Sequence, residues 1–269
     1  MPAAPLASLP EAIMRAPLAI DFSNQVVWVT GAGRGIGQAI ALAFARAGAA
    51  VLVNDIDAAT ATATAMAITN AGGDALAVRG DVSHKADVAV MVDAALARWN
   101  RIDVLVNNAG IEPVASILDM TEADWDRTLA TNLKGTFLCT QAAGQVMRAQ
   151  GRGAIVNIAS TAGKAQPLYL RSAYAASKAG QVGFTKEAAR EFAAYGVRVN
   201  AVCPGVVVTP MTEHLRQNAQ QMARWMQEIP AQRLGEVDDV VGLVLFLASD
   251  AASYIVGQAI HVDGGKMMG

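Results

Sequence analysis

A tyrosine and a lysine stand four positions apart in the segment Ser172–Gly180, which reads SAYAASKAG. If this segment is helical, Tyr174 and Lys178 lie on one face, one turn apart. An ammonium group beside a phenol stabilises the phenolate, so we expect Lys178 to lower the pKa of Tyr174. A tyrosine tuned in this way can take a proton from a hydroxyl group or return it. This spacing is common on helices, so by itself it carries little weight.

A serine at a predicted strand end offers a partner for that tyrosine. Ser160 follows Ile158 and Ala159 at the end of an apolar run. It is therefore expected at the carboxyl edge of a parallel sheet, where α/β proteins bind ligands. Its hydroxyl could hold a carbonyl or alcohol oxygen, and the alternative is an ordinary strand-end serine. With Tyr174 and Lys178 it predicts acid–base chemistry on a C–O group.

A glycine-rich loop, Thr30–Gly37, reads TGAGRGIG between an apolar run and an alanine-rich one. Glycines 31, 35 and 37 permit a tight turn and let a pyrophosphate approach the N-terminus of the next helix. The loop does not end in Gly-Lys-Ser/Thr, which excludes a Walker loop. The standard G-x-G-x-x-G dinucleotide pattern also fails, because Ile36 stands at its third glycine. A glycine turn without a ligand is the structural alternative.

The second predicted strand ends in Asp55, eighteen positions after Gly37. A carboxylate there can accept both ribose hydroxyls of NAD and repels the 2′-phosphate of NADP. Asp57 is suited to capping the next helix, which leaves Asp55 free for a ligand. Arg34 in the loop has the opposite effect, since a guanidinium could bind a 2′-phosphate. On balance the residues favour NAD over NADP.

Strands alternate with helices along the chain, which predicts an α/β fold with a doubly wound parallel sheet. No Pro/Ser/Gly-rich linker divides it, so we expect one domain, 24–269, behind an N-terminal extension, 1–23. In residues 205–232 we expect a loop and a short helix over the active-site edge. The predicted strands are Val26–Thr30, Ala50–Asn54, Ala75–Arg79, Val104–Asn107, Ala154–Ala159, Val197–Val202 and Ala259–Val262. The predicted helices are Ile36–Ala47, Ala58–Ala71, Lys85–Trp99, Trp125–Ala149, Tyr174–Tyr195 and Val237–Leu247.

Composition argues against several classes of protein. A net charge of −2 disfavours a nucleic-acid partner that is bound through its phosphates. No apolar run reaches the length of a bilayer span, and the proline-containing N-terminus lacks the basic start of a signal peptide. Cys139 and Cys203 are expected to be reduced core residues, which fits a cytoplasmic location. The three histidines show no ligand spacing, so we expect no metal site.

Together these residues resemble the short-chain dehydrogenase/reductase family, from Asn24 to about Gly265. Thr30–Gly37 matches that family's own glycine motif, T-G-x-x-x-G-I-G. The resemblance implies a Rossmann-type fold with a seven-stranded parallel sheet and helices on both faces. It also rests on separate matches in the expected order, namely Asn107-Asn108-Ala109-Gly110, Ser160, Tyr174, Lys178, Pro204-Gly205 and Val262-Asp263-Gly264-Gly265.

The resemblance also implies a role for each matched residue. Ser160 would orient the substrate oxygen, Tyr174 would be the acid/base, and Lys178 would bind the nicotinamide ribose. Asn132 matches an asparagine that holds a water linking the lysine to solvent. Asp81 would contact adenine, with Val82 beside it. The remaining cofactor-binding residues would be Gly31, Arg34, Gly35, Ile36, Gly37, Asp55, Asn108, Ala109, Gly110, Pro204, Gly205, Val207 and Thr209.

One spacing departs from the family. Ser160 and Tyr174 are fourteen positions apart, where thirteen is usual, which indicates a one-residue insertion in 166–171 at the pocket rim. Glu112 lies just past the cofactor segment, and it either faces substrate hydroxyls or is a solvated loop carboxylate. For Met211, Met222, Trp225 and Met226, packing of the short helix is favoured over an apolar lid.

These residues predict an NAD-linked oxidoreductase that interconverts a secondary alcohol, such as a polyol or sugar, and a ketone. The main alternative is an NADPH-dependent 3-oxoacyl-thioester reductase, which Asp55 disfavours. A scaffold or cofactor sensor is the third hypothesis, and such proteins usually lose the tyrosine or the lysine. The resemblance also implies a homotetramer, built on the helices around 132–149 and 174–195.

Overall fold

The computed structural model describes residues 20–164 and 168–268 and confirms the alternation of strands and helices. The predicted extension lies largely outside these ranges, as do residues 166 and 167 of the segment with the predicted insertion. The strands are β1 Val26–Val29, β2 Ala50–Asp55, β3 Ala75–Arg79, β4 Val104–Asn107, β5 Gly153–Ile158, β6 Val197–Pro204 and β7 Ala259–Val262. The helices are α1 Gly35–Arg46, α2 Ala58–Asn70, α3 Lys85–Trp99, α4 Glu122–Leu129, α5 Gly135–Gln150, α6 Ser172–Phe192, α7 Glu213–Arg216, α8 Ala219–Glu228 and α9 Val237–Ala248.

These strands form one parallel sheet in the order β3-β2-β1-β4-β5-β6-β7. β1 and β4 are buried along their whole length, as their unbroken Val/Leu/Trp runs require when both faces are covered. The strand order reverses where β1 meets β4. The connections after β1 and β4 leave in opposite directions there, which opens a crevice at the carboxyl edge of the sheet.

Each face of the sheet carries its own apolar core. On one face Ile40 and Phe44 of α1 pack with Val244 and Leu247 of α9. On the other face Trp28 of β1 packs with side chains of α3 and α5, among them Met91 and Met147. Burying a side chain of this size contributes about 1.5–3 kcal/mol, so these contacts hold the helices against the sheet.

The long helix predicted over Trp125–Ala149 differs from the structure. It begins at Glu122, because the Thr121 hydroxyl accepts a hydrogen bond from Asp124 N at 3.0 Å and caps it. A single π turn, Ala130–Lys134, then separates α4 from α5. Periodicity in the sequence does not reveal such a turn, since one extra residue barely changes the apolar pattern.

The segment predicted as a loop and one short helix contains two helices, α7 and α8. Asn218 caps α8 by accepting a hydrogen bond from Gln221 N at 3.1 Å. Trp225 is buried and packs with Met222 and Met226, which confirms the predicted packing role for those three residues. Met211 instead lies at the surface, 42% exposed.

The two cysteines, Cys139 and Cys203, are free thiols and wholly buried, as expected. Within residues 20–164 and 168–268, no helix has the length and apolar composition that a membrane span requires.

Candidate active site

Ser160 and Tyr174 are brought together by backbone contact between the end of β5 and α6. Ser160 has extended backbone and opens a short 3-10 turn, Thr161–Gly163, with its hydroxyl accepting a hydrogen bond from Ala162 N at 3.1 Å. A Cβ on Gly163 would lie 2.3 Å from the carbonyl carbon of Lys178, so only glycine permits this approach. As a result, the Ser160 hydroxyl and the Tyr174 phenol line the same cavity, close enough for the hydroxyl to lower the pKa of the phenol.

The pKa of Tyr174 is raised, not lowered. Burial is the main cause, and the charge of Glu112 raises the pKa further. The hydrogen bond from Ser160 and the charge of Arg171 lower it only in part. The lowered tyrosine pKa expected from the sequence is therefore wrong for the described residues, because burial outweighs the neighbouring positive charge.

Lys178 is directed to two acceptors inside the protein. Its Nζ donates to Ile158 O at 2.7 Å and to Gln181 Oε1 at 2.9 Å, and it lies 5.7 Å from the centre of the Tyr174 ring. Burial lowers the pKa of Lys178 to about 8, although the nearby Cys203 and Glu112 partly oppose this shift. The lysine is thus close to the tyrosine, and a modest change in its surroundings alters its charge.

Asn132 lies in the π turn and anchors the loop after β4. Its Oδ1 accepts from Ile111 N at 2.8 Å, and its Nδ2 donates to Ile111 O at 3.0 Å and to Ser177 Oγ at 2.9 Å. The side chain is wholly buried, so its polar atoms are satisfied by protein atoms. The backbone of the loop after β4 is thereby held against α6.

The glycine loop turns in the way its sequence predicts. Gly31 and Gly35 have φ values of 60° and 59°, in the left-handed region that favours glycine. A Cβ on Gly37 would lie 2.2 Å from Gly31 O, so the start of α1 sits directly on the loop. Asn108 Nδ2 donates to Thr30 O at 3.0 Å and to Gly31 O at 2.9 Å, which fixes the turn.

The N-terminus of α1 fits a bound pyrophosphate. Arg34 occupies the N-cap position and makes no side-chain capping hydrogen bond to any residue of the described ranges. By contrast, α2 is capped by Asp57, which accepts from Ala59 N at 2.9 Å and so confirms its predicted role. Backbone N–H groups at an uncapped helix start bind anions, with help from the helix dipole.

Asp55 lies beside this loop. Its Oδ2 accepts a hydrogen bond from Gly33 N at 2.9 Å, and the side chain is half-buried. Asp81 follows β3 next to it, since Gly80 N donates to Asp55 O at 3.1 Å. Val82 is buried against Gly135, so packing explains its apolar side chain. Arg34 is exposed.

A cavity of about 230 Å³ lies at the carboxyl edge of the sheet, and the structure gathers most of the predicted residues around it. Asn132 lies behind it, and Asp55 and Asp81 stand at the β2 and β3 ends of the same edge. The predicted residues in its wall are Ile36, Asn108, Gly110, Ser160, Tyr174, Lys178, Pro204, Gly205, Val207 and Thr209. Gly31, Arg34, Gly35, Gly37 and Ala109 belong to the adjoining loops instead.

Glu112 also lines this cavity, and the interpretation as a solvated loop carboxylate is wrong. Its side chain is 12% exposed and forms an ion pair with Arg171, which is equally buried. Burial raises the pKa of Glu112, and the charge and hydrogen bond of Arg171 partly offset this. The two loops also join through Ala115 N, which donates to Leu170 O at 2.9 Å.

Two residues of this site were missed by the sequence analysis. Arg171 lies in the segment with the extra residue, so its pairing with Glu112 crosses fifty-nine positions of sequence. Gln181 stands three positions after Lys178, on the same helix face. Its place one turn after Lys178, beside the polar residues Ser177 and Thr185, was the available signal for it.

The comparisons with known proteins agree with this geometry. A family model described as Enoyl-(Acyl carrier protein) reductase matches residues 31–266. A 3-oxoacyl-[acyl-carrier-protein] reductase of Synechocystis sp. is 46% identical over 199 residues, which are 73% of this chain and 78% of that protein. The chain belongs to the short-chain dehydrogenase/reductase family.

Solved structures of this family show the same fold. A short-chain type dehydrogenase/reductase from Mycobacterium marinum superposes with a TM-score of 0.88 at 39% identity, covering 93% of this chain and 98% of that one. A gluconate 5-dehydrogenase from Burkholderia cenocepacia, in complex with NADP and tartrate, gives 0.89 at 34% identity, covering 92% and 97%. The protein is therefore an oxidoreductase of the short-chain dehydrogenase/reductase family, which binds a nicotinamide cofactor.

Proposed function

We propose that this short-chain dehydrogenase/reductase interconverts a secondary alcohol and a ketone on a polyol, sugar or similar hydroxylated substrate, with NAD as the favoured cofactor. The observation that carries the proposal is the buried carboxylate of Glu112, in the same cavity as Ser160, Tyr174 and Lys178.

In the direction of alcohol oxidation, Ser160 holds the substrate oxygen by a hydrogen bond and Tyr174 accepts the hydroxyl proton. A bound nicotinamide cofactor would supply hydride transfer, so the two electrons of the oxidation would leave the substrate carbon with a hydride. Lys178 would bind the nicotinamide ribose, and its charge favours the phenolate form of Tyr174 that takes up the proton. Reduction of the ketone reverses each transfer.

Glu112 favours a substrate with more than one hydroxyl group. An ionised carboxylate only accepts hydrogen bonds, and its ion pair with Arg171 leaves lone pairs for another donor. A second hydroxyl near the reacting carbon supplies that donor. An acyl chain supplies none, and it would bury the Glu112 charge without any gain in hydrogen bonding.

A second candidate is an NADPH-dependent 3-oxoacyl-thioester reductase. The Synechocystis relative carries that name, and the Burkholderia neighbour holds NADP. Arg34 is exposed beside the glycine loop and could bind a 2′-phosphate. Asp55 argues for NAD instead, because its carboxylate lies against Gly33 of the loop, where it would repel that phosphate.

Nicotinamide absorbance, followed with NAD or NADP and a panel of polyols, sugars, hydroxy acids and hydroxyacyl thioesters, tests the proposal. We expect turnover of a polyhydroxy substrate that is lost in Tyr174→Phe, a variant that keeps the ring and removes only the phenolic oxygen. Tyr195→Phe is the matched control. Tyr195 ends the short 3-10 helix Ala193–Tyr195 that follows α6, and it does not line the cavity. Turnover confined to thioesters would contradict the proposal and support the second candidate.

A homotetramer and a cytoplasmic location belong to the same proposal. The free buried cysteines favour a reducing compartment. Phe137 of α5 and Phe184 of α6 pack edge to face, and Phe137 is 42% exposed, so these helices offer an apolar surface to another copy. Light scattering on the eluting protein should give four times the chain mass, and a stable monomer would refute the tetramer.

A further inference from the structure

Gln181 connects the lysine of the site to a neighbouring helix. It is wholly buried, its Oε1 accepts from Lys178 Nζ at 2.9 Å, and its Nε2 donates to Thr136 Oγ1 at 2.6 Å. The Thr136 hydroxyl in turn donates to Asn132 O at 2.8 Å. A continuous chain of buried hydrogen bonds therefore joins Lys178 of α6 to the π turn before α5.

The chemistry of the partners determines which way the Gln181 amide points. A charged ammonium group has only donors, so the amide oxygen must face Lys178. The amide nitrogen then faces Thr136, whose hydroxyl accepts from it while donating to Asn132 O. With the amide reversed, two donors would meet at Lys178 in a buried place, which costs free energy. Each group in this series of hydrogen bonds thus specifies the orientation of the next group.

We propose that Gln181 is a positioning residue that holds the Lys178 ammonium in the orientation the reaction needs. The ammonium group has three N–H bonds, and Ile158 O and Gln181 Oε1 take two of them. Two fixed acceptors on a tetrahedral group leave the third N–H a single direction, and Lys178 itself lines the cavity. Without Gln181 the group rotates about its bond to Cε, and that third direction is lost.

The groups around Lys178 explain why the acceptor on Gln181 matters. Tyr174 of the same helix, Cys203 of β6 and Glu112 of the loop after β4 are the titratable groups that face it. Side-chain atoms of Gln181 and Thr136 connect Lys178 with the backbone carbonyl of Asn132, the residue that by resemblance would hold a water linking the lysine to solvent. An amide in that place sets the position of the lysine rigidly, because both of its ends are hydrogen-bonded.

The test is Gln181→Met, which keeps the length of the side chain and removes both hydrogen bonds. The inference rests on the proposed function, because Lys178 acts there on Tyr174 and on the nicotinamide ribose. We expect kcat for alcohol oxidation to fall about tenfold while KM for the alcohol changes less than about twofold. NADH affinity, measured by nucleotide fluorescence, should fall about fivefold, since one charge-assisted contact is misdirected.

Two further variants keep the test decisive. Thr136→Val removes the far anchor of the amide, and it should lower kcat in the same direction by about threefold even if Gln181→Met does not fold. Gln227→Met makes the same replacement at an exposed position of α8 and should match the wild type. Wild-type kcat and NADH affinity in Gln181→Met, or in Thr136→Val where Gln181→Met does not fold, overturn the inference.

The same measurements separate this inference from the proposed function. If the wild type binds NADH but oxidises no alcohol of the panel, the proposed function is overturned. The positioning role is then decided by NADH affinity alone. It stands if Gln181→Met, or Thr136→Val in its place, binds NADH more weakly than Gln227→Met, and it is overturned if the affinities are equal.

Discussion

Replacement of Asp55 by asparagine removes one negative charge beside the glycine loop and keeps the loop in place. Asp55 Oδ2 accepts from Gly33 N at 2.9 Å, and an asparagine Oδ1 accepts the same hydrogen bond. The second oxygen of Asp55 accepts from the exposed Asp57 N at 3.1 Å, where water can take over. The Asp55→Asn variant therefore tests charge separately from loop geometry.

The expected size of the effect follows from where this carboxylate lies. Two unit charges about 5 Å apart near a protein surface interact by about 3 kcal/mol, and half-burial with salt screening reduces this to about 2 kcal/mol. The weaker hydrogen bonds of a neutral amide to the ribose hydroxyls of NAD cost about another 1 kcal/mol. The sum of about 3 kcal/mol changes the ratio of kcat/KM with NADP to kcat/KM with NAD about a hundredfold.

The assay is the initial rate of nicotinamide reduction with one substrate and each cofactor in turn. Asp57→Asn is the matched control, since asparagine also caps helices and the Asp57 side chain caps the start of α2 by accepting from Ala59 N. We expect the cofactor ratio to rise about a hundredfold in Asp55→Asn and to stay within about twofold in Asp57→Asn. An unchanged ratio in Asp55→Asn, or a wild type that already prefers NADP, would refute the reasoning.

Three further predictions concern the Glu112 carboxylate, the contact of Gly163 with the backbone of Lys178, and the ion pairs of Asp103. Glu112→Gln should lower kcat/KM for a polyol about tenfold and spare a simple secondary alcohol, through loss of a charge-assisted hydrogen bond. In this variant the oxidation rate should begin to rise at a lower pH than in the wild type, because the Glu112 charge raises the pKa of Tyr174. Steady-state rates with both alcohols across pH check this, and equal losses would contradict it. Gly163→Ala should cost at least about 2 kcal/mol of unfolding free energy, since its Cβ would lie 2.3 Å from backbone of Lys178. In contrast, the Cβ introduced by Gly183→Ala meets nothing within 4 Å in the described residues. That variant should raise the free energy of unfolding by about 0.5–1 kcal/mol. Urea titrations measure both, and similar midpoints would speak against the contact. Burial raises the pKa of Asp103, but hydrogen bonds from Arg101, Val26 N and Arg152 lower it below its ordinary value overall. Its stabilisation is thus complete above the unfolded pKa of ~3.9 and lost as pH falls through the folded pKa. Asp103→Asn should consequently flatten the loss of stability below about pH 4, and an unchanged slope in urea titrations would argue against this linkage.

The order of strands and helices could be predicted from the sequence because it depends on local patterns of residue types. Unbroken runs such as Val104–Asn107 predict strands buried on both faces, and the bounds agree with the structure. The glycine loop was readable for the same reason. Gly31 and Gly35 occur where the chain must adopt positive φ, and that requirement belongs to the turn itself. The π turn was missed, because it changes a helix by one residue without changing its apolar face.

The site was only partly readable, because its residues come from distant segments. Tyr174 and Lys178 were found from their spacing on one helix, and Ser160 from its place after a strand. The burial of Glu112 was not predictable, since Arg171 reaches it across two loops that touch only in the folded chain. The sign of the Tyr174 pKa shift was wrong for the same reason, because burial is a property of everything packed around a group.

By itself the sequence determined the α/β alternation, the glycine turn and the types of residue that do the chemistry. Each of these depends on neighbours within a few positions along the chain. Only the tertiary structure decided which acceptors hold Lys178, how Glu112 is paired and in which direction the pKa of Tyr174 moves. Those depend on desolvation and on contacts such as Gln181 with Thr136, forty-five positions apart, which exist only after the helices have packed on the sheet.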